Sequence, residues 1–296
     1  MTSVAVVAHR GKTLGGGLQE LRSRLESDIG AVTMWCEVDK SRMAPEAAQR
    51  CVDGGADLLI VWGGDGTVQR VLGAVAGAEV TLGIIPAGTA NLLATNLGIP
   101  KDIGGALDVA LHGARRDLDV GVVNGERFAV MAGAGLDAVM IKDADGKFKE
   151  RLGRLAYVVS GVRASGRRNT KMIVDVDGSR WFKGRAGCVL FGSMGTLTGG
   201  LVAFPDADPC DGQLEIGVVT ADSRIQWARV VGRMVTKHPD RTPLTRATRG
   251  RKAIVRFAKR TAYELDGGDR PPTKKLKVRV EPGAVRIAVP VKEGSK

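Results

Sequence analysis

The sequence predicts an α/β layered domain followed by a mostly antiparallel β domain, and three observations carry that prediction. Short apolar runs alternate with helix-period segments through the first 119 residues, whereas beyond residue 120 Asn-Gly and Asp-Gly pairs stand between β-prone runs. The charge divides at the same place. Residues 1–119 hold 11 Lys/Arg against 14 Asp/Glu, net −3, and residues 120–296 hold 33 against 18, net +15, together the +12 of the chain. With 296 residues, 44% of them hydrophobic, there is enough chain for two cored domains. The expected division is 1–119 and 120–284, with a tail at 285–296 returning to the first domain.

In chain order the first domain reads as strand 4–8 and helix 14–25, strand 32–38 and helix 45–54, strand 57–62 and helix 67–76, strand 80–85 and helix 90–97. Strict alternation implies parallel strands joined by crossover helices. In the second domain, runs 122–124 and 128–131 flank Asn124-Gly125, run 173–176 precedes Asp177-Gly178, and run 214–219 follows Asp211-Gly212. Runs 253–258, 261–265, 276–280 and 285–291 complete it. Asn-Gly and Asp-Gly accept the positive φ angles of tight hairpin turns, which is why they signal antiparallel pairing. One segment, 222–237, has helical period instead: Trp227, Val230, Val231, Met234 and Val235 share one face, and Gln226, Arg229, Arg233 and Lys237 the other.

Several classes are excluded or disfavoured. The longest apolar run is five residues, against about 20 for a membrane span. The N-terminus has its apolar stretch before its basic residues, the reverse of a secretory signal, so a cytoplasmic protein is expected. Cys36, Cys51, Cys188 and Cys210 form no CxxC pair and read as reduced, buried thiols, neither a disulfide framework nor a metal site. The basic excess, with 12 Lys/Arg and only Asp240 between residues 223 and 260, suits a polyanion. Aromatics are 4% and no nucleic-acid motif is present, so the expected partner is an anionic membrane surface, not nucleic acid; a homodimer is left open.

The chemistry begins at Gly63-Gly64-Asp65-Gly66-Thr67, at the carboxyl end of the most hydrophobic strand and before a helix, the edge where open α/β sheets bind ligands. Gly63, Gly64 and Gly66 allow the backbone to approach a phosphate, and the helix N-terminus favours one. Asp65 is the odd member, since a carboxylate beside a phosphate is repelled unless it works through a cation or moves a proton. An Asp65→Asn change is expected to keep the loop's shape and remove that function. The same geometry recurs at Pro86-Ala87-Gly88-Thr89-Ala90-Asn91, where Thr89 and Asn91 are also ordinary cap residues. Segment 9–13, His-Arg-Gly-Lys-Thr, lacks the first glycine of a P-loop but follows the first strand, which leaves a contributory phosphate contact open.

The pair GGDGT at 63–67 and Pro-x-Gly-Thr-x-Asn at 86–91 resembles the diacylglycerol kinase catalytic-domain family, which includes soluble bacterial lipid kinases and sphingosine and ceramide kinases. Gly133-Ala134-Gly135-Leu136-Asp137-Ala138, Pro205-Asp206-Ala207, Asp211-Gly212 and Tyr263-Glu264-Leu265-Asp266-Gly267 extend the likeness over almost the whole chain. The resemblance implies an N-terminal NAD kinase-like nucleotide-binding domain and a C-terminal β-sandwich carrying lipid specificity. It also implies phosphoryl transfer from ATP, with Mg²⁺, to a hydroxyl of diacylglycerol or a related lipid, at the inner face of the membrane. Gly63, Gly64, Gly66, Thr67, Gly88, Thr89 and Asn91 would hold the nucleotide, and Asp211 would belong to a magnesium network. The chain departs from the family pattern at Gln69-Arg70, at Leu92 and at Ala8-His9. It departs again at Gly268, where the family has the glutamate proposed as general base; Asp269 or Asp65 then supplies the base, or the reaction is impaired. Two other functions stay in view, a kinase of a soluble substrate such as NAD and a non-catalytic nucleotide- or lipid-binding protein.

Overall fold

The computed structural model describes residues 3–30, 32–135 and 169–291. The chain forms two units, Met1–Leu118 with Gly283–Lys296, and Asp119–Pro282, so it passes between them twice.

The first unit is built on parallel strands β1 (Val4–His9), β2 (Met34–Val38), β3 (Leu58–Gly63) and β4 (Thr81–Pro86), with β3 between β1 and β4. The end of the last strand, β14 (Gly268–Val289), returns to pair Arg286 and Ile287 with Thr81 and Leu82 of β4. Every residue of β3 is buried, as expected of a strand covered on both faces. Helices α1 (Gly17–Ile29), α2 (Ala44–Asp53), α3 (Asp65–Val75), α4 (Leu92–Leu97) and α5 (Ile103–His112) make the connections. Helix α5 was not anticipated because Gly104-Gly105 interrupts its pattern. Its N-cap Asp102 nonetheless accepts the Gly105 N–H, and Ile103, Ala106, Leu107 and Ala110 make a buried stripe.

The second unit is antiparallel. It contains the second half of β5 (Ala114–Val123), β6 (Glu126–Phe128), β7 (Met131–Ala134), β8 (Thr170–Val176), β9 (Ser179–Ala186), β10 (Cys188–Gly192), β11 (Leu214–Val219), β12 (Thr245–Gly250), β13 (Lys252–Leu265) and most of β14. Its strands run in the order β12-β11-β10-β7-β13-β14, with β8 beside β13 and β9 beside β8. Inward residues including Phe128, Phe182, Phe191, Val255 and Leu276 form one core of a β-sandwich-like domain. Three expected turns, Asn124-Gly125, Asp177-Gly178 and Asp266-Gly267, have positive φ at both residues and close the β5–β6, β8–β9 and β13–β14 hairpins, whereas Asp211-Gly212, where only the glycine has positive φ, ends the long connection from β10 to β11 and closes no tight hairpin. Strands β9, β10 and β12 lacked a readable signal.

The amphipathic segment forms α6 (Arg224–Val235), capped by Ser223 and buried through Val230, Val231 and Met234. The helix ends before Lys237, whose φ is +60°, so the expected stripe Arg229, Arg233, Lys237 does not continue along one face. Leu136, Asp137 and Ala138 lie outside the described residues.

Candidate functional site

Register sets the site in the first unit. Gly63 stands opposite Pro86 at the end of paired parallel strands, so the loops after β3 and β4 leave side by side. They touch through glycine: a Cβ on Gly88 would sit 2.4 Å from the Gly64 Cα, which no side chain can do. The Ala87 N–H also reaches the Gly63 carbonyl at 3.0 Å.

Asn91 cinches the second loop to itself. At φ +49° it turns the chain into α4, its Oδ1 accepts the Gly88 N–H at 2.9 Å, and its Nδ2 donates to the carbonyls of Pro86 (2.9 Å) and Gly88 (2.8 Å). Asp65 then ties the first loop to the second, its Oδ2 accepting the Asn91 N–H at 2.9 Å and its Oδ1 the Leu92 N–H. Burial pushes the Asp65 carboxyl above its ordinary range, against those two N–H donors and the positive charge of Lys12.

The expected site residues divide accordingly. Gly64 and Gly88 permit the close approach, and Gly63 leaves room for the Thr67 side chain. Thr67 does not face outward: it is 1% exposed, packs under Gly63 and pairs its hydroxyl with Ser41 Oγ at 2.9 Å, so it braces the loop. Asn91, with both amide hydrogens engaged by carbonyls, is likewise a positioning residue and not a phosphate donor. Thr89 is exposed at the tip of its loop. Gly66 is exposed in the first turn of α3, and a Cβ there would meet nothing within 4 Å. Packing therefore does not demand a glycine at that position, where helix N–H groups lack intrahelical partners. Lys12 supplies the charge. Its carbonyl accepts the Trp62 Nε1–H at 3.2 Å, and its Cε lies 3.9 Å from the point a Gly64 Cβ would occupy.

The second unit holds its own acidic group. Asp266 is a bracket: its carboxylate accepts the N–H groups of Ala129 (2.7 Å), Val130 (2.9 Å) and Met131 (2.9 Å). Asp269 is exposed and stands opposite Glu264 across the hairpin. Glu264, which the sequence reading passed over, is pushed up to about 7 by burial first and then by the charges of Asp269 and Asp266. The space beside Gly268 is taken by Arg270, whose Nη1 lies 2.9 Å from where a Cβ would be. That guanidinium binds the Gly268 and Asp269 carbonyls and forms a fork with Glu126.

Asp211, expected in a magnesium network, lies in a turn of the second unit. It is exposed and its carboxylate accepts the Gln213 N–H at 2.8 Å, while the adjacent Gly212 N–H is held at 2.6 Å by buried Asp119. Among the described residues no three His, Cys, Asp or Glu side chains gather as a metal site. A cavity of about 550 Å³ lies elsewhere in the second unit, walled by Leu190, Ala203, Phe204, Val218 and Met234 and edged by charged residues such as Lys237 and Arg246.

A diacylglycerol kinase catalytic domain model matches residues 11–123, and a YegS C-terminal NAD kinase beta sandwich-like domain model matches residues 130–289. The chain belongs to the diacylglycerol kinase catalytic-domain family. Family relatives include a diacylglycerol kinase of Bacillus subtilis, 32% identical over 240 residues, 78% of this chain and 76% of that protein. A diacylglycerol kinase of Mycobacterium tuberculosis is 31% identical over 183 residues, 60% of this chain and 59% of that protein. The fold matches a crystal structure of a diacylglycerol kinase from Bacillus anthracis with TM-score 0.80 at 21% identity, covering 97% of this chain and 96% of that one. It also matches an NAD kinase from Archaeoglobus fulgidus solved with ATP, with TM-score 0.53 at 12% identity over 96% and 93% of the chains. The family's two-part architecture, an NAD kinase-like α/β domain and a β-sandwich, is therefore that of this chain. Among the described residues no helix is long and apolar enough to cross a membrane.

Proposed function

We propose that this member of the lipid kinase family transfers the γ-phosphoryl group of ATP to a hydroxyl of diacylglycerol or a related lipid. The observation that carries the reading is the cradle of the first unit: two loops locked together through Asp65 and Asn91, open space over Gly66, and Lys12 alongside. A rigid set of helix N–H groups with one cation suits a polyphosphate, and phosphoryl transfer asks mainly for positioning and charge neutralisation.

In the proposed step the lipid hydroxyl oxygen bonds to the γ-phosphorus, the bond from that phosphorus to the β–γ bridging oxygen breaks, and ADP leaves. Asp65 takes the hydroxyl proton. Its oxygens accept the Asn91 and Leu92 N–H groups and its own backbone N–H, and burial raises its proton affinity against these donors. Magnesium, when bound, would be held largely by the ATP phosphates and would neutralise their charge, since among the described residues no three His, Cys, Asp or Glu side chains gather. The 550 Å³ cavity, apolar inside and charged at its edge, supports an amphipathic substrate.

A second reading, a binding protein without turnover, is favoured by Arg270 occupying the place beside Gly268. Measuring ATP turnover with diacylglycerol micelles, with NAD and with neither separates the readings. Lipid-dependent ADP release with a phosphorylated lipid product supports the kinase; NAD-dependent turnover supports a soluble substrate; ATP binding without turnover supports the binding protein.

A further inference from the structure

The outward face of strands β9, β8, β13 and β14 carries an unusual arrangement of charge. Because directly paired residues of antiparallel strands project to the same side, the register places like charges face to face: Lys171 opposite Arg185, Arg256 opposite Lys275, and Lys252 opposite Arg279. All six are exposed. Two further lysines extend the lattice, Lys183 opposite Ile173 and Lys277 opposite Ile254. Among the described residues relief comes from Asp175, which pairs with Arg180 and Arg256, and at one corner from Glu281, which pairs with Arg279. None of Lys171, Lys183, Lys252, Lys275 and Lys277 has a carboxylate within ion-pair distance among the described residues.

Nothing in folding rewards such opposition, since like charges across a pair weaken the sheet and the hydrophobic core lies on the other face. We infer that this four-strand face docks on the surface of an anionic lipid bilayer. Its charges spread over a plane of four strands spaced about 4.8 Å apart, not along a single groove, which matches a field of headgroups. The half-buried residues between the basic rows are the aliphatic Ile173 and Ile254; the outward paired positions hold no aromatic ring on which a base could stack. Preferring a bilayer to nucleic acid rests in part on the lipid kinase reading.

The test uses the full chain with Lys171, Lys183, Lys275 and Lys277 all changed to Gln, positions outside the proposed catalytic machinery. A second variant carries Arg224→Gln, Arg229→Gln and Arg233→Gln on α6. Co-sedimentation is measured with phosphatidylcholine vesicles lacking or containing about 30% phosphatidylglycerol, and a DNA duplex serves as competitor. Wild type should bind the anionic vesicles in a salt-sensitive way, and the lysine variant, melting as wild type does, should partition about tenfold or more weakly. Turnover on a monomeric short-chain lipid should not change. Vesicle binding unaltered by the lysine changes, loss of binding in the α6 variant alone, or capture by the duplex in preference to vesicles would overturn the inference. If no lipid is phosphorylated yet vesicle binding still depends on the lysines, the kinase reading fails and the docking face stands.

Discussion

One carboxylate, Asp65, accepts the backbone N–H groups of Asn91 and Leu92, and through this contact the loop after β3 and the loop after β4 become one structure. The sequence suggested a charge held beside a phosphate. The structure shows that the same charge first holds the cradle together, and burial makes that charge costly enough to raise its proton affinity.

Asp65→Asn therefore cannot leave the loop's shape intact, contrary to the expectation from sequence. An amide can accept one of the two N–H groups but turns an NH₂ toward the other, a loss of about 1–3 kcal/mol for a buried donor. Turnover should fall by on the order of 10²–10⁴ if the carboxylate is also the base. Hydrogen exchange at Asn91 and Leu92 should quicken in the same variant. Wild-type turnover with faster exchange would leave Asp65 as a latch alone.

Glu264 predicts a pH-dependent stability. Its folded-state carboxyl holds its proton up to about 7, above the unfolded value, so the protonated form favours folding. That contribution is complete below the unfolded value of 4.5 and is lost as pH rises through about 7. Glu264→Gln should remove the loss and gain on the order of 2–3 kcal/mol over wild type above pH 7. Denaturant titrations across that range check it; parallel stability curves for the two proteins would contradict it.

How much of this was legible depended on whether the signal was local. The alternation of strands and helices and the Asn-Gly and Asp-Gly turns are local, and they gave the two domains and three hairpins. Gly64 and Gly88 were read as letting the backbone approach a phosphate, and the structure shows them first letting the two loops approach each other, while Gly63 leaves room for the Thr67 side chain. The roles of Thr67 and Asn91 were not legible. Each resembles a ligand by residue type, yet its hydrogen bonds go to Ser41 and to the Pro86–Gly88 backbone, partners that only the fold supplies. Glu264 was missed for the same reason: its burial and its closeness to Asp269 follow from hairpin register. The basic sheet face was hidden because its rows combine residues up to about a hundred positions apart, whereas the stripe on α6 could be counted along one segment.

The cavity of the second unit makes a prediction about chain length. Ala203 is buried in its wall, so Ala203→Phe should fill part of the 550 Å³. If acyl chains enter there, KM should rise about tenfold for a long-chain diacylglycerol while a short-chain substrate is unaffected. Equal effects on both lipids, or none, would place the chains elsewhere.

The claim that the loops form a phosphate cradle is tested most directly at Gly66, by titrating ATP into wild type and Gly66→Ala and following bound heat. A Cβ at this position meets no protein atom within 4 Å, and alanine suits a helix better than glycine by up to about 1 kcal/mol, so the variant should be at least as stable as wild type. Its added methyl group would nevertheless stand where the phosphates are proposed to lie. The account predicts a protein with an undiminished melting temperature and ATP affinity weakened about tenfold or more. Wild-type affinity in that stable variant would contradict it.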